Sequence, residues 1–192
     1  KIVRDAYHGV EVEDPYRWLE DWNDPAVKAW SDAQNAYARA VLDRLPGVAA
    51  ISARVKAILE AATVSYHSLV WRPGRLFALK NQPPLNQPLL VVLNSADEPA
   101  TEKVVLDLNA LDSAGGKSMD WFVPSPDGGL VGVSLSAGGS ESGDVHIYDV
   151  ETGGALADVI PRVNGGTAGG DLAWAPDGRG FYYTRYPRPG ER

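Results

Sequence analysis

The spacing of apolar residues along this chain changes near Thr63, and the two rhythms on either side of it predict different structures. Val10 and Val12 alternate against Glu11 and Glu13, so residues 1–13 read as an extended arm. Asp14-Pro15 then starts a short helix carrying Tyr16, Trp18, Leu19 and Trp22. Aspartate can accept from the free amides of a first helical turn, and proline there gives up no hydrogen bond. Asp24-Pro25 repeats the signal, and Val27, Trp30, Tyr37, Val41 and Leu45 follow on one face of an amphipathic helix that Pro46-Gly47 ends. Ile51, Val55, Ile58, Leu59 and Ala62 mark another helix. Residues 1–63 are thus predicted as an N-terminal arm followed by helices.

After Thr63 the apolar residues come in short runs broken by Gly, Pro, Asn and Asp, which is strand patterning. Strands are predicted at 65–71, 75–80, 89–93 and 103–107, then at 118–123, 130–136, 144–150 and 155–160, and finally at 171–175 and 180–186. A turn recurs among them. Pro124-Ser125-Pro126-Asp127-Gly128 precedes the apolar run from Leu130, and Trp174-Ala175-Pro176-Asp177-Gly178 precedes Phe181-Tyr182-Tyr183. A fainter copy is Trp71-Arg72-Pro73-Gly74-Arg75. Proline presets φ and glycine accepts positive φ, so each copy reverses the chain. A period of roughly 50 residues holding about four short strands is that of a β-propeller blade. The predicted fold is mainly β with an N-terminal helical segment: residues 64–192 form blades one and two and the start of a third, about two and a half blades. Since a ring closes on about four to eight blades, this is a partial propeller. Half-built sheets and unpaired strand edges lead us to expect a piece that depends on the rest of its protein for stable folding.

Composition narrows the partners. With 192 residues and 44% apolar content the chain is ordinary for a globular protein. A net charge of −7, with 18 Lys and Arg in no long block, disfavours nucleic acid and anionic membrane surfaces, and neither partner is expected. The absence of cysteine removes disulfides, a thiolate nucleophile and cysteine-ligated zinc, which fits cytoplasm or periplasm. No run approaches the roughly 18 apolar residues of a membrane span. The chain opens on Lys1 with no secretory hydrophobic region, so a removed leader is compatible with it and the compartment is open.

Candidate chemistry is sparse. Ser140, in Gly138-Gly139-Ser140-Glu141-Ser142-Gly143, has serine at 142 where a Gly-x-Ser-x-Gly elbow needs glycine, and it is flanked by strands on both sides. A hairpin loop is the better reading. His8, His67 and His146 are scattered, with no metal-ligand spacing. Glu11, Glu13, Asp14, Glu20, Asp21 and Asp24 read as helix caps and a solvated face. The glycines of Asn164-Gly165-Gly166-Thr167-Ala168-Gly169-Gly170 lead into no helix and no Lys-Ser/Thr, so they read as a connection between blades rather than a phosphate cradle. The six tryptophans are read as packing residues. No catalytic, substrate-binding or metal residue is assigned, and no cofactor is called for.

Tyr7-His8-Gly9-Val10 through Asp14-Pro15-Tyr16-Arg17-Trp18-Leu19-Glu20-Asp21, with Trp30 and Ala33-Gln34-Asn35, closely resembles the opening of prolyl oligopeptidases. The resemblance continues through Lys80-Asn81-Gln82, Asn86-Gln87 and Val105-Leu106-Asp107-Leu108-Asn109 into the blade turns, and so covers essentially the whole chain. The Asp-Pro-Tyr-x-Trp-Leu core is shared with oligopeptidase B, which cleaves after basic residues. Residues 79–87 look more like the prolyl enzymes, although Pro83 and Pro84 depart from their pattern.

The resemblance implies a seven-bladed propeller covering an α/β-hydrolase domain that lies beyond Arg192 and carries the Ser-Asp-His triad, with the helices of 1–63 packed on that domain. It implies that this chain gates the active site of a serine peptidase hydrolysing short peptides after proline, and that its partners are the remainder of the same protein and short peptide substrates. Alone, the chain is expected to be inactive. In the family an aromatic residue just before the third blade lines the substrate cavity; residues 163–170 here contain none. Two alternatives stand: an oligopeptidase B-like enzyme cleaving after basic residues, and a noncatalytic propeller module that binds a protein or glycan.

Overall fold

In the computed structural model, which describes residues 1–166, 169–187 and 190, the first residues fold back on themselves. The expected arm is a hairpin: β1 (Val3–Tyr7) pairs antiparallel with β2 (Val10–Asp14). His8 and Gly9 both take positive φ, 51° and 82°. That is the backbone of a two-residue turn whose twist matches its strands, and histidine in the left-handed region is what the apolar pattern could not announce. The helix expected from Asp14 is a single 3₁₀ turn, Arg17–Glu20. The Asp14 carboxylate still accepts from the amides of Tyr16 and Arg17, at 2.8 and 3.0 Å. Asp24 caps α1 (Pro25–Leu42) through the Ala26 amide, and α2 (Val48–Glu60) follows. Trp18 meets Trp30 edge to face, with centroids 6.3 Å apart. On α1, Val27 is buried while Trp30, Tyr37 and Val41 are exposed; the helix stops at Leu42, short of the expected Pro46-Gly47, and leaves exposed Leu45 in the turn that follows.

The chain divides into Lys1–Ile58 and Leu59–Arg192. In the second unit β3 (Ser65–Arg72), β4 (Arg75–Asn81), β5 (Leu89–Leu93) and β6 (Lys103–Asp107) form one antiparallel sheet in chain order. A one-turn helix not expected from the sequence, α3 (Leu108–Leu111), follows, capped by the Asp107 carboxylate through the Asn109 and Ala110 amides. The next four strands, β7 (Lys117–Pro124), β8 (Leu130–Ala137), β9 (Ser142–Asp149) and β10 (Ala155–Gly165), form a second sheet, again with each strand beside its chain neighbour. β11 (Leu172–Trp174) and β12 (Phe181–Tyr183) begin a third. These are the blades expected. β10 runs past the predicted Ile160 because it is irregular, with register shifts on both sides of Val159–Ile160 and Arg162 at φ 61°. Thr167 and Ala168 of the glycine-rich connection, and Arg188, Pro189, Glu191 and Arg192 of the terminal loop, lie outside the described residues.

The repeated turn is the same object twice. Gly128 donates to the Ser125 carbonyl and Gly178 to that of Ala175, both at 2.9 Å, and both glycines sit at φ 69°. Ser125 and Ala175 each close the loop on the strand that follows, through the carbonyls of Leu130 and Gly180 at 2.8 Å. The fainter copy is tighter: Arg72 pairs directly with Arg75 across Pro73-Gly74.

Blades stack through alternate faces. Phe77, Leu90, Val92 and Leu106 of the first sheet, with Leu108 of α3, pack with Phe122, Val131, Val133, Leu135 and Tyr148 of the second. The other face of the second sheet, with Val145, Ile147 and Val163, packs with Leu172 of the third, and Trp174 and Phe181 lie against the same cluster. Each such side chain withdrawn from water contributes roughly 1.5–3 kcal/mol. Polar bonds register the stack. The Arg72 guanidinium donates to the Pro124 and Ser125 carbonyls, Arg75 and Lys103 both reach Glu151, and the Trp174 indole donates to the Val123 carbonyl at 2.9 Å.

Candidate functional site

No hydrogen bond joins Ser140 to a histidine among the described residues. Ser140 lies in the loop of residues 138–141 between β8 and β9, where Gly138, Gly139 and Glu141 all have positive φ. It is exposed, and its hydroxyl accepts from the Ser142 amide at 3.3 Å. His8 occupies the β1–β2 turn. His67 Nδ1 lies 3.1 Å from the Ser68 hydroxyl. The two are exposed chain neighbours, and no hydrogen bond joins the other ring nitrogen to a carboxylate among the described residues. A base that activates a nucleophile needs such an orienting group. His146 is half-buried in β9, and its pKa is pushed down by burial and then by the charge of Lys117, against a weaker upward pull from Asp144. It is held neutral near pH 7.

Two polar clusters escaped the sequence reading. The first is built on a β-bulge. Met119 pairs with Leu135 and Trp121 with Ser134, which leaves Asp120 as the extra residue of β7. A bulge re-aims the side chain it inserts. The Asp120 carboxylate accepts one hydrogen bond from Ser134 and one from Ser136, both at 2.7 Å, and both serines are buried. Gly143 of β9 lies directly over this group: a Cβ there would stand 2.1 Å from Asp120 Oδ2 and 2.2 Å from Ser134 Oγ. Trp121 Nε1 reaches Asn164 Oδ1 at 3.4 Å beside it. An aspartate inside an apolar strand, with two serines two residues apart in the next strand, was the signal available.

The second cluster lies on the first sheet. Lys80 donates to Glu102 Oε1 at 2.5 Å, Tyr66 donates to Glu102 Oε2 at 2.6 Å, and the Lys80 ammonium lies 5.7 Å from the Tyr66 ring centroid. The Lys80 and Glu102 side chains are 14% and 17% exposed, so this is a largely desolvated pair whose charges are both satisfied. Burial pushes the Glu102 carboxyl up, yet the bonds from Lys80 and Tyr66 together outweigh it and hold the group below its ordinary value. The bond to Glu102 raises Lys80 against its own burial, and the same carboxylate raises the Tyr66 phenol. In the first cluster both serine hydroxyls are buried and donate to the carboxylate, and in the second the Lys80 and Glu102 charges satisfy each other.

Comparison with known proteins brings these features under one heading. All 192 residues match the family model described as prolyl oligopeptidase, N-terminal beta-propeller domain. The chain is similar to the prolyl endopeptidase of Elizabethkingia meningoseptica, 28% identical over 187 residues, covering 97% of this chain and 25% of that protein. It is similar also to the prolyl endopeptidase of Elizabethkingia miricola, 29% identical over 186 residues, covering 96% and 25%. Among solved structures, one from a study of two prolyl endopeptidases and the role of inter-domain dynamics in their catalysis and specificity superposes with a TM-score of 0.83 at 35% identity, covering 96% of this chain and 26% of that one. The chain therefore spans about a quarter of the length of the curated relatives it matches.

Proposed function

The chain belongs to the prolyl oligopeptidase family, as its N-terminal β-propeller domain, and on that premise we propose that it is the gating portion of a serine peptidase that hydrolyses short peptides after proline. The observation that carries the reading is the pair of complete four-stranded blades and the start of a third, with one turn repeated inside the second and third, matched by the family over all 192 residues. In this reading the nucleophile, its base and its orienting acid stand on a hydrolase domain outside these residues. The blades contribute by excluding water and bulky substrates from that site. The apolar stripe Trp30, Tyr37 and Val41 of α1, continued by Leu45 after it and exposed here, is the surface that packs on the hydrolase domain.

The test uses the full-length protein with blocked reporter peptides carrying proline, lysine or arginine before the scissile bond, together with a serine-reactive fluorophosphonate. Cleavage after proline, with the label on a serine outside residues 1–192, is expected. Cleavage after lysine or arginine alone would replace proline specificity with basic specificity. Neither turnover nor labelling would sink the peptidase reading and leave a binding module.

A further inference from the structure

A cavity of about 280 Å³ opens where the end of the second sheet meets the terminal segment of the third, lined by Ser142, Arg162, Gly165, Gly166 and Tyr186. Arg162 is its unusual member. It is a non-glycine residue at φ 61°, a left-handed conformation that persists only where its surroundings impose it. Here they do: its amide donates to Asp144 Oδ1 at 2.9 Å, and its carbonyl accepts from the Tyr186 amide at 3.0 Å. The Tyr186 ring is fixed in turn against Gly165, so closely that a Cβ on that glycine would lie 2.0 Å from the ring. The backbone of Arg162 is therefore locked from both sides.

Its side chain is not. The guanidinium of this half-buried residue has no hydrogen bond or ion pair with any described residue. The nearest sequence carboxylate on the neighbouring strand, Asp144, is engaged by the Arg162 amide instead. The arginines and lysine at the junction of the first two blades behave differently: Arg72 is bound to carbonyls, and Arg75 and Lys103 share Glu151. The Ser142 and Tyr186 hydroxyls are likewise without a partner among the described residues. A locked cavity wall with an unspent five-donor fork and two free hydroxyls suits an oxyanion that can be held bidentately, and the oxyanion an unmodified peptide carries is a carboxylate.

We propose that Arg162, with Ser142 and Tyr186, forms a carboxylate-binding subsite for an acidic or free terminal carboxylate of a peptide. The subsite deepens the peptidase reading where it concerns selectivity, and rests on that reading only for its kinetic test. In the full-length protein, the kcat/KM of a succinyl-blocked, proline-containing reporter peptide is compared with that of the acetyl-blocked form. The wild type is expected to favour the succinyl form about tenfold, within the range of a charge-assisted bond. Arg162→Asn, whose side chain tolerates the left-handed conformation, is expected to remove the preference and leave the acetyl reporter unchanged. A preference that survives in the variant, or its absence in the wild type, overturns the proposal.

Failure of both reporters to be cleaved would defeat the peptidase reading by itself. The subsite is then decided by equilibrium titration, read by protein fluorescence, of the tripeptide Gly-Ala-Glu and its fully amidated counterpart Gly-Ala-Gln-amide. Tighter binding of the carboxylate form that R162N abolishes supports the site, and equal binding refutes it.

Discussion

Replacing Gly143 by alanine tests the central packing claim of the second blade, because it adds one methyl group where the backbone of β9 passes over Asp120. That methyl would stand 2.1 Å from Asp120 Oδ2, 2.2 Å from Ser134 Oγ and 3.0 Å from Asn164 Cβ. All three are well inside van der Waals contact, so the carboxylate and the hydroxyl must separate and their 2.7 Å bond is lost. A lost bond to a charged group costs roughly 1.5–3 kcal/mol and forced crowding roughly 1–3, while alanine recovers roughly 0.4–1 through the unfolded chain. The net expectation is a destabilisation of about 2–5 kcal/mol. Urea unfolding of the full-length protein, with the propeller followed by pulse proteolysis, measures it. Ser134→Ala removes one of the three obstructing atoms, so the double variant should fall short of the sum of the singles by about 1 kcal/mol or more. A change below about 0.5 kcal/mol for G143A, or strict additivity, would refute the reasoning.

Three further outcomes are expected. The folded pKa of Glu102 lies below its ordinary 4.5, because the bonds from Lys80 and Tyr66 outweigh burial, and that of Lys80 lies above 10.5. The pair's contribution is thus full between those values and fades as pH falls through the depressed carboxyl pKa or rises through the elevated ammonium pKa; acid unfolding of E102Q should show a shallower loss below pH 4.5 than the wild type, and parallel curves would count against it. Trp174→Phe deletes the indole bond to the Val123 carbonyl and should cost about 1–2 kcal/mol, seen as faster amide exchange in β11 and β12, whereas unchanged exchange would show the bond idle. Residues 1–192 produced alone, with Tyr37, Val41, Ile58, Leu59, Leu69 and Trp71 in water, should self-associate and hydrolyse no peptide; a monomer on size exclusion with a cooperative melt would contradict this.

The blades were legible because their cause is local. Leu89–Leu93 is a continuous apolar run, buried on both faces, and Pro-Asp-Gly dictates its own reversal, so strand positions and the repeat came from neighbouring residues alone. What the sequence hid is set by contacts distant along the chain or by backbone states that many residues can adopt. Nothing around His8 announces a left-handed residue, so the first hairpin read as an arm. Asp120 became a serine acceptor only through a register shift between β7 and β8, and a bulge leaves no mark in apolar alternation. Arg162 is extreme in the same way: its conformation is imposed by Asp144 and by Tyr186 beyond the glycine-rich connection.

Within each complete blade every strand hydrogen-bonds only to strands adjacent in the chain. That arrangement bears on the timing of synthesis. A ribosome adding about 5–20 residues per second releases a repeat of roughly 50 residues over several seconds, whereas a hairpin closes in about 1–10 μs. Each sheet can therefore be complete before the next has emerged. The nascent chain then spends seconds with one finished blade exposing the face meant for its successor, the Phe77 and Val92 face first and the Val145 and Ile147 face next. The vulnerable interval in the life of this protein is the gap between one blade and the following one, and slowing translation within residues 108–130 should lengthen exposure of the first of those faces to chaperones and proteases.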